Sequence, residues 1–251
     1  MPMKATLRIM IACAGTALLA ACAGPRDHAG DPGDGADWPA FEPPSEVERI
    51  YRIDEQTSKL VARVDPVGPM AGLGHSHVVG GAVLSGRIVA GESGARADVR
   101  VDAGAFEVDR PEWRRAHGLK PELDAAAIEG TRANLLGPDV LDAGAHPTID
   151  IRSVAVAGPA WLPDVTLRIR WRGRVREATL PVAVERAQGR LQLSGRLDIR
   201  HSDFGFEPFS AAGGALRVSD RIRVRFRIEA LAERDDIAII PGRSTHPGRN
   251  P

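Results

Sequence analysis

The sequence predicts a mainly β fold, an antiparallel sandwich or barrel of about eight strands with one inserted helical segment. Apolar and polar residues alternate with a period of two in segment after segment, the pattern of a strand with one dry and one wet face. Short runs of Gly, Asp and Pro separate these segments, as in antiparallel sheets. One stretch, residues 111–138, breaks the alternation and places apolar residues at helical spacing.

The alternation is clearest in four segments, VTLRIRWRG, RIRVRFRIEA, GRLQLSGRLDIRHS and TIDIRSVAV. Because alternate strand residues point to the same face, the apolar set of each segment is predicted to face inward. The last segment slips out of phase near Ser153, which predicts a β-bulge. The predicted inward residues are Val165, Leu167, Ile169, Trp171, Leu191, Leu193, Leu197, Ile199, Ile149, Ile151, Val154, Val156, Ile222, Val224, Phe226 and Ile228.

Four further segments complete the strand set, SKLVARV, HVVGGAVLSGRIVA, ARADVRVDA and REATLPVAVER. The helix within residues 111–138 is predicted to begin at Pro121 or Leu123 and to end at Gly137 and Pro138. An eight-stranded barrel has an interior just large enough for side chains or for one ligand, so the pattern allows a solid or a hollow barrel.

The N-terminal residues predict export from the cytoplasm. Residues 1–8 carry Lys4 and Arg8, and residues 9–19 form an apolar run that is too short to span a bilayer. Leu-Ala-Ala before Cys22 resembles the bacterial lipobox, in which the Cys becomes the acylated first residue of a lipoprotein. We therefore predict a lipoprotein signal peptide at residues 1–21 and lipidation of Cys22, with a plain secretory signal as the alternative.

Composition divides the rest of the chain into three parts. Residues 22–46 are rich in Gly, Pro, Asp and Ala and predict a flexible tether, residues 47–233 a single β domain, and residues 234–251 a disordered tail. Cys13 lies in the signal, so no disulfide is expected. Ala23 after Cys22 resembles lipoproteins that Gram-negative bacteria sort to the outer membrane, so we expect the cell envelope, with the domain facing the periplasm.

The overall charge is balanced, with 33 basic and 33 acidic residues. Such a chain has no strong field to attract nucleic acid, and no nucleic-acid partner is predicted. The arginines alternate with aliphatic residues along the strands, which is typical of a solvated sheet face.

The segment GLGHSHVV places His75 and His77 two residues apart at the start of a predicted strand, where both side chains would share a face. The pair could be a hydrogen-bonded turn, a polar contact for a ligand head group, or half of a metal site. A metal site would need a third ligand, for which the candidates in the sequence are His117, His146, His201 and Asp203.

The segment HSDFGFEPF concentrates Phe204, Phe206 and Phe209 in one short loop. These rings could plug the core or form a rim that closes over a lipid. Arg200, which flanks them, is a candidate polar anchor for a quinone oxygen or a phosphate.

Catalytic motifs are lacking in the sequence. It contains no Gly-x-Ser-x-Gly elbow, and strand neighbours point to opposite faces, so Ser76 is poorly placed for activation by His75 or His77. We therefore predict that the protein is not an enzyme.

Five segments in order resemble the YceI-like family of polyisoprenoid-binding proteins. Together they extend from Tyr51 to about Ala230. The segments are YRIDEQTSKLVARV, VRVDAGAFEVDRPEWR, NLLGPDVLDAGAHPTIDIRSVAV, VTLRIRWRGRVREATLPVAVE and LSGRLDIRHSDFGF.

The resemblance implies an extended eight-stranded lipocalin-like barrel whose apolar tunnel takes a long isoprenoid of the quinone or polyprenyl type. It implies no cofactor other than this lipid, a role in transport, storage or protection, membrane contact through lipidated Cys22, and a possible homodimer. A metal-dependent function of His75 and His77 is the alternative. The ligand-binding candidates are His75, His77, Val79, Leu167, Ile169, Trp171, Arg200, Phe204, Phe206 and Phe226.

Overall fold

The computed structural model describes residues 38–92 and 94–233. The predicted signal peptide, Cys22, most of the predicted tether and the tail at residues 234–251 lie outside the described residues. No helix in the described part of the chain is long and apolar enough to cross a membrane.

The described residues form fourteen strands and two α-helices. The strands are β1 Arg49–Ile53, β2 Lys59–Val64, β3 Pro66–Val67, β4 His77–Gly81, β5 Leu84–Gly91, β6 Gly94–Asp102, β7 Glu107–Val108, β8 Thr148–Ala157, β9 Asp164–Trp171, β10 Arg174–Ala187, β11 Arg190–Arg200, β12 Ser210–Ala211, β13 Leu216–Val218 and β14 Arg221–Ala232. The helices are α1 Pro111–Ala116 and α2 Ala125–Leu136.

Eight strands close into an antiparallel barrel, in the order β1, β5, β6, β8, β9, β10, β11 and β14, with β14 returning to pair with β1. This closed barrel confirms the predicted fold class. The strand β14 pairs with β11 along one edge, while its other edge pairs first with β2 and then with β1. The wall is continued on this side by β2, β4 and β7, and β3, β12 and β13 form a separate small sheet.

Two predicted strands differ in detail from the observed ones. The segment from His77 to Ala90 is two strands, β4 and β5, because the chain departs from regular pairing after Gly81, whose φ of 151° suits glycine alone. In β8 the predicted bulge is confirmed by a register shift between Ser153 and Ala155. Val154, which lies in this bulge, and Val156, which follows it, are each 39% exposed, so the prediction that they face inward is wrong.

The inserted segment contains two helices instead of one. Pro111 occupies the first turn of α1, where its missing N–H removes no helical hydrogen bond. The second helix begins at Ala125, later than predicted, because the side chain of Asp124 caps it by accepting a hydrogen bond from the Ala126 N–H at 2.9 Å. It ends at Leu136, before Gly137, as predicted.

Residues 38–46 contact the outer face of the barrel. The guanidinium of Arg170 lies 4.6 Å from the ring centroid of Trp38, and that of Arg87 lies 4.5 Å from the ring of Phe41. The side chain of Arg96 donates to the backbone carbonyls of Glu42 and Pro43, at 3.1 and 2.8 Å. The predicted tether thus overlaps a segment that packs on the domain through cation–π contacts and backbone hydrogen bonds.

Candidate ligand-binding cavity

The interior of the barrel contains a cavity of about 260 Å³ with an almost wholly apolar lining. The period-two alternation of the strands produces this lining, because every second residue points inward. The strand residues that line it are Leu60, Ala62, Val64, His77, Val79, Val101, Ile149, Ile151, Ile169, Trp171, Leu197, Ile199, Val218, Ile222 and Val224.

The cavity occupies only part of the barrel. Along β14, Ile222 and Val224 line the cavity, whereas Ile228 and Ala230 belong to the packed core and are 8% and 0% exposed. Tyr51, the single tyrosine of the chain, is buried in the same packed core. One part of the barrel is therefore hollow, and another is filled by side chains.

Phe226 lies at the transition between the two parts. It packs against the core but does not line the cavity, and it pairs across β11 with Gly195. A Cβ atom at Gly195 would lie 2.7 Å from the Phe226 ring, so glycine is what leaves room for the ring. Leu167 likewise packs against the core without lining the cavity.

Residues of α2 and of the loop that follows it complete the cavity wall. Thr131, Asn134 and Leu135 of α2 and then Val140 and Leu141 line the cavity. Arg172 donates to the carbonyl of Val140 at 3.0 Å, which ties this loop to the end of β9. The inserted segment thus shapes the binding space, although its sequence pattern only indicated a helix.

His77 is held by a buried carboxylate. Its Nδ1 lies 2.5 Å from Oδ2 of Asp109, and the side chain of Asp109 is fully buried. The other oxygen, Oδ1, accepts hydrogen bonds from the Val78 N–H at 2.9 Å and from Arg114 at 2.7 Å. When Nδ1 donates to Asp109, a neutral His77 ring carries its free acceptor on Nε2.

The environment of Asp109 stabilises its charged form. Burial by itself would raise the pKa of Asp109, but the hydrogen bonds from His77, Val78 and Arg114 outweigh this effect and hold the pKa below its ordinary value. Asp109 also adopts a left-handed backbone conformation, with φ of 55°, that turns the chain between β7 and α1.

Trp171 and His201 line the cavity and leave polar atoms unpaired. Nε1 of Trp171 and Nδ1 of His201 are buried and have no hydrogen-bond partner in the described part of the chain. Burial lowers the pKa of His201, and the carbonyl and carboxylate of nearby Asp220 oppose this shift only in part. The imidazole is therefore neutral at neutral pH.

An aromatic cluster supports these two residues. Phe204, which is 1% exposed, and Phe206 meet the Trp171 ring edge to face, at centroid distances of 5.3 and 5.0 Å. Neither phenylalanine lines the cavity, whereas Phe209 does. In the segment HSDFGFEPF, Phe204 is thus core packing, and Phe209 is the ring that reaches the binding space.

The structure brings four of the candidate residues to the cavity wall: His77, Val79, Ile169 and Trp171. Arg200 lies elsewhere, with a side chain that is 59% exposed and 4.0 Å from Asp220. The hypothesis of a buried Arg200 anchor is wrong for this structure, because Arg200 alternates with Ile199 and takes the outward face of β11.

His75 does not line the cavity that His77 lines. It is exposed and precedes β4, and together with His77 it lines a smaller depression beside the cavity. Within residues 38–92 and 94–233, no group of three or more His, Cys, Asp or Glu side chains is arranged to hold a metal ion. The third ligand that a metal site would need is therefore lacking among the described residues.

Sequence reasoning missed Asp109 and Arg114 and did not assign His201 to the cavity. Asp109 and Arg114 follow β7, which has only two residues and therefore shows no alternation. The sequence pattern thus gave no basis for predicting a buried ion pair there. In β11, Ile199 faces inward and Arg200 faces outward. If this alternation is continued by one residue, His201 is predicted to face inward.

A closed antiparallel barrel with an apolar interior cavity defines a class, the ligand-binding β-barrels. The family model of the YceI-like domain matches residues 51–230, and the chain belongs to this family. Its members are known as polyisoprenoid-binding proteins with lipocalin-like barrels.

Two solved structures are among those to which this chain is similar. BcnA of Burkholderia cenocepacia is 17% identical, covers 70% of this chain and 98% of its own, and has a TM-score of 0.49. The YCEI protein of Campylobacter jejuni is 14% identical, covers 56% of this chain and 73% of its own, and has a TM-score of 0.41. A search of curated proteins finds no match to this sequence.

Proposed function

We propose that the protein binds an isoprenoid lipid non-enzymatically in the barrel cavity, for transport, storage or protection of that lipid. The observation that carries this proposal is the apolar lining of the cavity. Burial of an alkyl chain gains about 0.8 kcal/mol per CH₂ group, and an aqueous compartment offers such a chain no comparable environment. Membership of the YceI-like family supports the same ligand class.

The size of the cavity limits how the lipid is held. Its volume of about 260 Å³ lies just below the range of about 300–1,000 Å³ that is usual for small-molecule sites. The packed core around Tyr51, Ile228 and Ala230 closes off the rest of the barrel. We expect the cavity to enclose the head group and the first part of the chain, with the remainder of a long isoprenoid extending beyond it.

We propose that the protein binds this lipid in the bacterial cell envelope. The predicted signal peptide and the predicted acylation of Cys22 would anchor the barrel to a membrane, and we propose the outer membrane with the barrel facing the periplasm. Labelling with a radioactive fatty acid tests this assignment. Wild type should become labelled, whereas Cys22→Ala should not.

Mass spectrometry of an organic extract tests the ligand. The full chain, purified from the bacterial envelope, should release an isoprenoid in roughly stoichiometric amount. An Ala62→Phe variant, whose new ring occupies the cavity, should release much less. A lipid-free extract of wild type that also fails to bind added isoprenoid quinone or phosphate would contradict the proposal, and zinc or copper in that sample would favour the metal-binding alternative.

A further inference from the structure

The charges of the chain are balanced overall but unevenly distributed over the barrel wall. The neighbouring strands β2, β14 and β11 contain nine basic and two acidic residues. In β14 the arginines alternate with apolar residues that line the cavity or pack in the core, so the arginines lie on the outer face. The nine basic residues are Lys59, Arg63, Arg190, Arg196, Arg200, Arg221, Arg223, Arg225 and Arg227.

Basic residues in this part of the wall face each other across the strands. In the registers of β14 with β11 and with β2, four directly opposed pairs consist of two basic residues. These pairs are Arg200 and Arg221, Arg196 and Arg225, Arg63 and Arg223, and Lys59 and Arg227. Like charges that are directly opposite in a sheet destabilise it. A bound anion would offset this repulsion, so the arrangement favours anionic partners.

The wall from β5 to β10 has a different arrangement of charges. There, five directly opposed pairs combine an arginine with a carboxylate. These pairs are Arg87 and Asp98, Arg152 and Asp98, Arg100 and Asp150, Arg170 and Asp150, and Arg168 and Glu177. The basic face on β2, β11 and β14 is therefore a local feature and not a general consequence of the many arginines.

Part of the basic face forms a groove of about 360 Å³ on the outside of the barrel. The polar residues that line this groove are Arg63, Asp65, His117, Ser219, Arg221, Arg223 and Arg225. Asp65 is already engaged, because it accepts hydrogen bonds from Arg63 at 2.8 Å and from the Ser76 hydroxyl at 2.6 Å. The groove thus presents several guanidinium groups to a partner outside the barrel.

The carboxylates nearby neutralise this face only in part. Asp198 lies 3.2 Å from Arg221 and 3.3 Å from Arg223, so one carboxylate serves two guanidinium groups. Within residues 38–92 and 94–233, Arg196 and Arg225 have no ion-pair partner. Guanidinium groups bind phosphate oxygens through paired hydrogen bonds, so a phosphate group suits these free arginines.

Exposed apolar side chains lie beside the groove. Val67, Met70 and Leu73 are 38%, 38% and 72% exposed and belong to one short segment, residues 66–74. Leu73 and Asp65 line the depression beside the cavity, and Asp65 also lines the basic groove. Exposed apolar residues next to polar ones are typical of surfaces that contact a membrane or another protein.

A bilayer of anionic phospholipids provides partners for both features. Its phosphate groups accept hydrogen bonds from arginines, and its interfacial region accommodates exposed apolar side chains. A nucleic acid or an acidic peptide would match the arginines but would leave Met70 and Leu73 in water. The groove also lies at the hollow part of the barrel, because Val218 and Ile222 line the cavity and the adjoining Ser219 and Arg221 line the groove.

We propose that a docking face, formed by the outer sides of β2, β11 and β14 and by residues 66–74, binds the surface of an anionic phospholipid bilayer. The arginines contact phosphate groups, and Met70 and Leu73 enter the interfacial region. This contact holds the hollow part of the barrel at the membrane surface and is separate from the predicted acylation of Cys22. The inference goes beyond the proposed function, and its test needs no ligand in the cavity.

A fluorescent label tests which face meets the bilayer. In the full-length chain, Cys13→Ala and Cys22→Ala remove the native thiols and the predicted acyl anchor, and Leu73→Cys or Val156→Cys supplies one labelling site. Val156 is the matched control, because it is also exposed but lies on β8, in the wall with paired charges. With vesicles that contain phosphatidylglycerol, a nitrobenzoxadiazole label at position 73 should brighten about twofold and shift to the blue, while the label at position 156 should not change.

Charge variants test the role of the arginines. In the chain labelled at position 73, Arg196→Gln combined with Arg225→Gln should raise the vesicle concentration at half-maximal response about tenfold. Arg87→Gln combined with Arg100→Gln is the matched control, because it removes the same charge from the wall with paired charges, and it should change this concentration less than about threefold. Vesicles of phosphatidylcholine alone should give a much weaker response.

Several outcomes would overturn the docking face. These are equal responses of the two labels, equal effects of the two arginine pairs, or equal responses to charged and uncharged vesicles. Binding of soluble polyglutamate as tight as that of the vesicles, without brightening at position 73, would assign the face to an acidic macromolecule instead. If an arginine variant fails to fold, the comparison of the two label positions still decides the proposal. The isoprenoid content of the organic extract is measured separately, so failure of the docking face and failure of the proposed function are distinguishable.

Discussion

Asp109 is a fully buried carboxylate that joins three parts of the structure. It accepts hydrogen bonds from His77 and Val78 at the start of β4 and from Arg114 in α1, while it lies itself just after β7. Arg114 is 4% exposed and also donates to the carbonyls of Ser76 and Lys120. The position of His77 in the cavity wall therefore depends on a buried ion pair.

Removing this carboxylate should be costly. Asp109→Ala leaves the Arg114 guanidinium buried without its counter-ion, so the free energy of unfolding should fall by about 3–5 kcal/mol. Urea denaturation followed by circular dichroism measures this loss. Asp198→Ala is the control, because Asp198 is 30% exposed and pairs with Arg221 and Arg223 at the surface, and we expect a loss below about 1 kcal/mol. Similar losses for both variants would contradict a special role of the buried pair.

At the scale of elements, α2 is a capped helix that also contributes side chains to the cavity wall, and its sequence predicts only part of this. Its end at Gly137 is predicted from the sequence, whereas its start after the Asp124 cap lies later than the predicted start at Pro121 or Leu123. None of its residues is fully buried, yet Thr131, Asn134 and Leu135 reach the cavity. A helix that lies over a binding space and has little buried surface of its own depends strongly on its cap.

Loss of the cap should loosen the cavity wall. Asp124→Ala removes the acceptor for the Ala126 N–H and should destabilise α2 by about 1 kcal/mol. Hydrogen exchange of residues 125–136 should then speed up about fivefold, while exchange in the strands stays unchanged. Glu129→Ala, an exposed change within the same helix, is the control and should leave exchange as it is. Equal acceleration in helix and strands would mean that α2 does not open on its own.

At the scale of the whole molecule, the barrel combines a hollow part with a packed part. Ala62 and Ala230 show the contrast, because both are buried and small, but Ala62 lines the cavity and Ala230 lies in the packed core. The packed part stabilises the barrel through apolar burial, and this leaves the hollow part free to accommodate a ligand.

The same substitution should therefore have opposite consequences at the two positions. Ala62→Phe should fill the cavity, leave the melting temperature nearly unchanged and weaken ligand binding at least about tenfold. Ala230→Phe should overpack the core and lower the free energy of unfolding by about 3 kcal/mol. Thermal unfolding combined with titration of decylubiquinone measures both effects. Destabilisation of equal size at the two sites would show that the space beside Ala62 is not available.

The sequence by itself determined the parts of the structure that depend on local periodicity. The inward sets of β9, β11 and β14 follow from alternation, because a strand has a period of two wherever it lies. The slip in this alternation near Ser153 also predicted the β-bulge. The helical spacing of apolar residues predicted the approximate extent of α2. Eight of the residues predicted to face inward line the cavity: Ile149, Ile151, Ile169, Trp171, Leu197, Ile199, Ile222 and Val224.

Only the tertiary structure decided which inward-facing residues line the cavity and which pack against each other in the core. Val224 and Ile228 occupy equivalent positions in the pattern of β14, yet one lines the cavity and the other is packed. The difference depends on the strands opposite and on α2, which come from distant parts of the chain. The pairing of His77 with Asp109, across a separation of 32 residues, has the same origin. Alternation in the sequence specifies which side chains of a strand point inward. Packing between distant segments decides whether those side chains contact other side chains or line a cavity.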